Sequence, residues 1–221
     1  MKSDETKVLH PDLKSYVETL KNGLTVLRHP LIYMVPYAPV MDEMANAMYA
    51  AKKAAIKKAL EKEDFSSYIF LHERPYRLDA LTSIEPKISD QKVLWGLIRS
   101  VWVDTEYPSY NFCHWDLLLT DVDRMALDCR HGEDLERFKS LSDEIEIYRG
   151  FSGDSDAVFG HSWTLDRSKA EWFAKRFNCE NKQLGIATID KSAVVMMITR
   201  RSEEELVVDV SQLNLIRIDK I

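Results

Sequence analysis

The chain has 221 residues, of which 45% are apolar and 30% charged, with 7 glycines and 7 prolines. This length and composition allow a sizeable hydrophobic core and exclude a disordered, collagen-like or low-complexity chain. Acidic residues outnumber basic ones 36 to 30, so the formal net charge is −6, which argues against a broad nucleic-acid-binding surface but not against a local basic groove.

Several features predict a soluble cytoplasmic protein with no membrane partner. The N-terminal segment is charged throughout and lacks the apolar core of a signal peptide. No run reaches the roughly 18 apolar residues of a membrane span, and the apolar run Leu24–Met34 is interrupted by charged residues and a proline. Three widely spaced cysteines, Cys113, Cys129 and Cys179, favour reduced thiols over a disulfide framework.

Residues 1–140 are predicted to be mainly helical. The segment Met41–Lys62 carries apolar residues at three- and four-residue steps, with acids near its start and lysines in its second half, which is typical of an amphipathic helix. A second apolar stripe predicts a helix that begins at Gln91. A weaker pattern over Trp115–Met125 suggests a third helix.

Residues 141–221 are predicted to be rich in strands. Alternating or β-branched apolar runs indicate five or six strands: Ile145–Arg149, Phe159–Thr164, Leu184–Ile189, Ala193–Thr199, Leu206–Val210 and Leu215–Ile218. Asp166 is predicted to cap the helix among them, which runs to about Asn178. The fold class is therefore predicted as α+β, in which a helical N-terminal part, residues 1–140, packs on a small, largely antiparallel sheet, residues 141–221, as one compact unit.

Three short segments of the second part lie at strand ends: Tyr148-Arg149-Gly150, Ser162-Trp163-Thr164 and Glu203-Glu204-Glu205. Each alone is compatible with ordinary surface composition. Their order, in which an arginine precedes a Ser-x-Thr segment and a Glu-x-Glu segment leads into an apolar strand, resembles the mono-ADP-ribosyltransferase family of the Arg-Ser-Glu type. The likeness is to the variant found in phage and bacterial members and covers about residues 145–212.

The resemblance implies an NAD⁺-dependent enzyme that transfers ADP-ribose to a macromolecular acceptor and needs no metal. Glu205 would bind the ribose 2′-hydroxyl and stabilise the positive charge that develops at C1′, and Ser162 would orient that glutamate. Glu203, on the same side of an extended chain, would face the nucleophile, and a glutamate there accompanies transfer to a protein arginine. Three consecutive glutamates leave Glu204 open as an alternative inward residue.

The resemblance also implies how the dinucleotide would be held. Arg149, within Tyr148–Gly150, would bind the pyrophosphate by charge-assisted hydrogen bonds. Thr164 would support its strand, and Trp163 or a nearby aromatic would flank the nicotinamide. The chain departs from the toxin members because Arg149 and Ser162 are only 13 residues apart, which suggests a smaller sheet with little cover on the adenosine side.

Two functional alternatives stay open. The same sheet could have lost NAD⁺ turnover and act as a binding module for a protein or a nucleic acid. The acceptor could also be a nucleic acid, although the acidic balance of the chain disfavours it. In either case the N-terminal part, residues 1–140, is the candidate for selecting the target or completing the groove.

Other kinds of site receive little support. Cys113, His114, Cys129 and His131 match no common zinc spacing, and the chain has no dinucleotide-binding glycine turn or Walker loop. His161, beside the Ser-x-Thr segment, could contact the nicotinamide or be a partly exposed strand residue.

Overall fold

The computed structural model describes residues 8–34, 36–106, 108–121, 132–176, 180–199 and 204–221. The protein divides into two compact units, one made of Met1–Ser89 with Ser100–Thr105 and the other of Asp90–Arg99 with Glu106–Ile221. Both combine helices with antiparallel β-sheet, so the protein is a mixed α and β structure. None of the helices in these described segments has both the length and the hydropathy that a membrane span requires.

The first unit combines helices with a three-stranded antiparallel sheet. Its strands are β1 (Val17–Thr19), β2 (Thr25–His29) and β3 (Ile32–Met34), and its helices are α1 (Pro11–Lys14), α2 (Asp42–Glu61), α3 (Phe65–Leu71) and α4 (Arg77–Ile84). The strands pair in the order β1-β2-β3.

This sheet is absent from the sequence-based prediction of a mainly helical N-terminal part. The interrupted apolar run at residues 24–34 forms the β2–β3 hairpin, which pairs from Leu27 with Met34 to His29 with Ile32. Pro30 falls in the short turn between the strands, where its fixed φ angle is favourable and its missing N–H costs no ladder bond. The proline that interrupts the apolar run therefore marks the turn between the two strands.

Helix α2 confirms the amphipathic helix predicted over residues 41–62. Asp42 and Glu43 occupy its first turn, where carboxylates interact favourably with the positive end of the helix dipole. Its Ala45 and Tyr49 are buried and pack in a cluster with Leu27 of the hairpin.

His29 is a buried polar residue in this cluster region. Its ring lies edge-on to Tyr16 and Tyr49, with ring centroids 4.6 and 5.1 Å apart. Its Nδ1 accepts a hydrogen bond of 3.0 Å from the amide of Leu31, so this nitrogen carries no proton in the folded state. Burial lowers the pKa of His29, and the nearby Asp12 carboxylate opposes that effect only in part.

We expect the first unit to lose stability as the pH falls below about 6.5, the ordinary pKa of histidine. Because the pKa of His29 is lower in the folded state, the unfolded chain binds more protons in this range, and the free energy of unfolding rises with pH. This one group contributes a slope of at most about 1.4 kcal/mol per pH unit.

Thermal unfolding at about pH 7.5 and about pH 5.5 measures this effect in the wild type and in His29→Asn, whose Oδ1 lies where Nδ1 does and can still accept the Leu31 hydrogen bond. The variant should lose less stability on acidification, because the other buried histidines act equally in both proteins. The same loss in both proteins would show that His29 does not contribute.

The second unit is built on a six-stranded antiparallel sheet. Its strands are β4 (Glu144–Ser152), β5 (Ser162–Thr164), β6 (Lys182–Asp190), β7 (Val194–Ile198), β8 (Glu205–Val208) and β9 (Asn214–Lys220). They pair in the order β7-β8-β5-β4-β6-β9. The helices are α6 (Phe112–Asp121), α7 (Gly132–Lys139) and α8 (Arg167–Lys175), and α5 (Gln91–Asp104) contributes residues to both units.

The predicted antiparallel sheet and the helix after Asp166 are confirmed. The Asp166 carboxylate accepts hydrogen bonds from the amides of Ser168 and Lys169 at 2.8 and 3.3 Å, which satisfies two of the unpaired donors at the start of α8. Helix α8 ends at Lys175, and the predicted end near Asn178 lies outside the described residues.

The two faces of the sheet have different neighbours. One face holds the main core of this unit, which includes Ile147, Trp163 and Leu206. On the other face α8 covers β4 and β6, where Ala170 packs with Leu184. Because side chains alternate along a strand, neighbouring residues of β5 and β8 point to different faces.

Gly150 allows α8 to lie directly on β4. A Cβ atom at this position would be 1.8 Å from the carbonyl oxygen of Ala170 and 2.7 Å from the amide nitrogen of Ala174, both in the helix backbone. Gly150 therefore has a packing role. Helix α8 fills the space above this residue, so that space is not open to a dinucleotide.

We expect Gly150→Ala to destabilise the second unit by about 2–4 kcal/mol, because the added methyl group overlaps backbone atoms that cannot rotate away. Urea unfolding measures the change. Gly96→Ala is the matched control, since in the described part of the chain no atom beyond the backbone of α5 itself lies within 4 Å of the Cβ added at Gly96. Alanine also favours a helix by about 1 kcal/mol. Equal stability of the two variants would contradict the packing role of Gly150.

Candidate functional site

Three neighbouring strands carry the residues that the sequence predicted to converge. Arg149 lies on β4, Ser162 begins β5, and Glu205 begins β8. In the sheet β5 lies between β4 and β8, with Tyr148 opposite Thr164 and Thr164 opposite Glu205. The sheet topology therefore places all three residues within a short distance, although they are far apart in the chain.

The acidic side chain of Glu205 is held in one orientation by Ser162. The Ser162 hydroxyl donates a hydrogen bond of 2.6 Å to Glu205 Oε1, and both residues are partly buried. A hydrogen bond to an ionised carboxylate is stronger than one between neutral groups. The arrangement is that of an acid fixed by a neighbouring hydroxyl, as the resemblance implied for this pair.

The alternative register, in which Glu204 is the inward residue, is wrong. The Glu204 carboxylate forms a two-point ion pair with Arg137 of α7, with Nε to Oε1 at 2.7 Å and Nη2 to Oε2 at 3.3 Å. Glu204 and Glu205 therefore point to different partners, and Glu205 is the glutamate beside Ser162.

The prediction that Glu203 lies on the same side as Glu205 requires an extended backbone. The backbone at Glu204 has φ of 44°, in the left-handed region, so the chain is not extended just before β8. The two-residue alternation of a strand consequently does not hold at Glu204. Glu203 itself lies outside the described residues.

The Arg149 guanidinium reaches across from β4 towards β5. Its Nη1 donates a hydrogen bond of 2.6 Å to the carbonyl of Ser162, and its Nε makes a longer contact of 3.5 Å with the carbonyl of Ala157. Gly160 makes room for it, because a Cβ there would be 2.3 Å from Arg149 Nη2. Backbone carbonyls thus hold the Arg149 side chain. It occupies a space that exists because Gly160 has no side chain.

Arg149 is a partly buried cation with more N–H donors than its two backbone carbonyl contacts use. Burial lowers the pKa of Arg149 to about 10, while the Glu205 carboxylate acts in the opposite direction, so the group stays positively charged at neutral pH. Within the described segments the structure records no ion pair for this guanidinium, which has five N–H donors. Such a group can bind an anion by charge-assisted hydrogen bonds at low cost in further desolvation.

Of the two alternatives predicted for flanking the nicotinamide, a nearby aromatic stays a prediction, and Trp163 is excluded because it is buried. It is 2% exposed and lies in the main core, and its indole N–H donates a hydrogen bond of 2.7 Å to the carbonyl of Gly160. The physical reason is strand alternation, since Trp163 is opposite Leu206 on the core face while Ser162 and Thr164 point the other way. Its contact with Gly160 helps to fix the backbone that borders Arg149.

Tyr148 and Thr164 have contacts within the protein. The Tyr148 ring packs against the cluster under α8, and its hydroxyl donates to the carboxylate of Glu146. The Thr164 hydroxyl accepts a hydrogen bond of 3.1 Å from the amide of Asp166, which links the end of β5 to the start of α8. The supporting role predicted for Thr164 fits this contact.

His161 is buried, which corrects the interpretation of a partly exposed strand residue. Its ring stacks on Phe112 of α6 with centroids 4.7 Å apart, and its Nδ1 is 3.0 Å from the carbonyl of Val208. Its Nε2 lies 3.6 Å from a carboxylate oxygen of Asp116. Burial lowers the pKa of His161, and Asp116 partly offsets this. The contribution of α6 beside β5 had no signal in the local sequence pattern.

The described residues contain no group of three or more histidine, cysteine or acidic side chains that could hold a metal ion. Of the set considered from the sequence, Cys113 is an exposed free thiol, and Cys129 and His131 lie outside the described residues.

Comparisons with protein-family models, with curated proteins and with solved structures found no match to this chain. The arrangement of Arg149, Ser162 and Glu205 is therefore the observation on which a functional conclusion rests.

Proposed function

We propose that this protein is a mono-ADP-ribosyltransferase that uses NAD⁺ as the ADP-ribose donor and modifies a macromolecular acceptor. The observation that carries the proposal is the hydrogen bond from Ser162 to Glu205 beside the partly buried cation of Arg149. The resemblance of the three segments to the Arg-Ser-Glu family suggests one reaction, transfer of ADP-ribose from NAD⁺, in which all three residues take part.

The residues fit the charge pattern of NAD⁺. Its pyrophosphate is a bidentate anion, and the Arg149 guanidinium offers a planar set of donors that its two backbone carbonyl contacts do not exhaust. Its ribose carries a 2′-hydroxyl that can donate a hydrogen bond to a fixed carboxylate, and Glu205 is such a carboxylate. Arg149 would hold the phosphates, and Glu205 would hold the ribose.

In the proposed reaction the bond between ribose C1′ and the nicotinamide nitrogen breaks, and its electron pair leaves with nicotinamide. Positive charge then develops on C1′ and the ring oxygen. The Glu205 carboxylate, fixed by Ser162, stabilises that charge because it needs no reorientation as the charge appears. The acceptor nitrogen forms the new bond to C1′ and loses a proton.

The acceptor we favour is an arginine on a protein. The support comes from the resemblance, in which the Glu-x-Glu sequence of Glu203 and Glu205 accompanies transfer to arginine. It also comes from the acidic chain, whose net charge of −6 disfavours broad contact with nucleic acid. Action in a cytoplasm, of a bacterium or of a phage-infected host, is part of the same proposal.

The test is incubation of the purified protein with NAD⁺ and a peptide that contains arginine, followed by measurement of nicotinamide release and of the ADP-ribose mass on the peptide. A peptide with lysine in place of arginine and a single-stranded RNA serve as competing acceptors. Turnover with the arginine peptide is the expected result. Heat stabilisation by NAD⁺ without nicotinamide release would support the inactive binding module, and no response to NAD⁺ would refute the proposal.

A further inference from the structure

Helix α7 holds both ends of the segment that connects β7 to β8. At the β7 end, Asp134 Oδ1 accepts hydrogen bonds from the amide and the hydroxyl of Thr199, at 2.8 and 2.7 Å. At the β8 end, Arg137 forms the two-point ion pair with Glu204. Two residues of one helix, less than one turn apart, therefore fix where β7 ends and where β8 begins.

Asp134 is itself held in place by a second contact. Asp134 is 8% exposed, and its second carboxylate oxygen forms an ion pair with Arg99 of α5. Burial raises the pKa of Asp134, but the Thr199 hydrogen bonds and Arg99 outweigh this, so the net effect is a lowered pKa. Asp134 is thus a charged, fully bonded group at neutral pH, and it gives α7 a fixed position relative to the sheet.

Glu204 has an unfavourable backbone conformation that a local contact must hold. A left-handed φ is unfavourable for a residue other than glycine, and glutamate lacks the short polar side chain with which asparagine or aspartate tolerates it. The carbonyl of Glu204 accepts a hydrogen bond of 3.3 Å from the amide of Leu165, which continues the β5–β8 ladder. The Arg137 ion pair is the side-chain contact that favours this turn.

We infer that Arg137 is a positioning residue for the proposed transferase, because it fixes the left-handed turn at Glu204 and so directs the next side chain, Glu205, towards Ser162. This inference rests on the proposed function, since its consequence is measured as turnover. Without the ion pair, the start of β8 gains alternative backbone conformations. Glu205 then spends less time in the orientation that the reaction requires.

The effect should fall on catalysis and not on stability. Arg137 and Glu204 are each more than a third exposed, and an ion pair of that kind contributes little to the stability of the fold. A small displacement of a catalytic group, in contrast, lowers the rate by up to about a hundredfold. The two consequences can therefore be measured separately.

The experiment compares kcat and KM for NAD⁺ in Arg137→Ala, in Glu204→Arg and in the double variant Arg137→Glu with Glu204→Arg, which reverses the ion pair. We expect kcat to fall about 10–100-fold in each single variant, with KM for NAD⁺ changed less than about threefold. The reversed pair should recover most of the loss. Arg167→Ala, which removes a similarly exposed ion pair with Glu171 at 3.1 Å, is the matched control and should keep wild-type kcat.

An unchanged kcat in Arg137→Ala, or a loss that the reversed pair does not recover, would overturn the inference. A wild-type protein without turnover would instead refute the proposed function. In that case hydrogen exchange still tests the positioning role, since the Leu165 amide, which donates to the Glu204 carbonyl, should exchange faster in Arg137→Ala and not in Arg167→Ala. Equal exchange in both variants would contradict it.

Discussion

Replacement of Glu205 by glutamine should lower NAD⁺-dependent ADP-ribose transfer by at least about a hundredfold and leave the fold intact. Glutamine keeps the shape of the side chain and can still accept the Ser162 hydrogen bond, so the local geometry is retained. The change removes the negative charge that faces the developing positive charge at C1′. The loss should therefore appear in kcat.

Glu144→Gln is a suitable control, because it makes the same chemical change at an exposed position on β4 of the same sheet. Initial rates of nicotinamide release give kcat for both variants, and circular dichroism checks that both remain folded. Glu205→Gln with wild-type turnover would remove the central assignment. A loss of equal size in Glu144→Gln would show that the effect is not specific to the site.

Replacement of Arg149 by lysine should reduce kcat/KM for NAD⁺ by about 10–100-fold, even though the positive charge is retained. Lysine cannot reproduce the planar donor set that contacts the Ser162 carbonyl and offers further N–H groups to the pyrophosphate. The expected loss is mainly in KM, because Arg149 binds the phosphates in the ground state as well as in the transition state.

Gly160→Ala tests the same guanidinium without changing any charged residue. The added methyl group would be 2.3 Å from Arg149 Nη2, and the flexible side chain can move aside, so the protein should stay folded while the guanidinium is displaced. We expect KM for NAD⁺ to rise as in Arg149→Lys. A normal KM in both variants would mean that Arg149 does not bind the dinucleotide.

The parts of the fold that the sequence predicted are those that local patterns determine. Helix α2 follows from its own apolar periodicity, and the start of α8 follows from the Asp166 cap, so their boundaries were predicted within a few residues. The hairpin at residues 24–34 was missed because three-residue and five-residue strands show little periodicity, and its turn looked like an interruption of one run.

In the site, too, local patterns predicted some features and long-range contacts determine the others. The order of the three segments predicted Arg149, Ser162 and Glu205, and the antiparallel register of β5 with β8 brings the last two together. The left-handed turn at Glu204 and its pairing with Arg137 depend on contacts across 67 residues, which no local pattern encodes.

The burial of Trp163 has a different origin. Neighbouring positions of a strand face opposite sides, and which side holds the core is decided by residues elsewhere in the sheet. A motif whose three residues are consecutive on a strand therefore cannot place all of them in one site. The sequence resemblance alone could not tell which of them faces the core and which faces the site.

The decisive measurement is a crystal structure of Glu205→Gln with bound NAD⁺. We expect the pyrophosphate in hydrogen-bond contact with the Arg149 guanidinium and the 2′-hydroxyl of the nicotinamide ribose in contact with the residue 205 side chain, beside Ser162. A dinucleotide bound elsewhere on the protein, or one whose ribose lies away from residue 205, would contradict it.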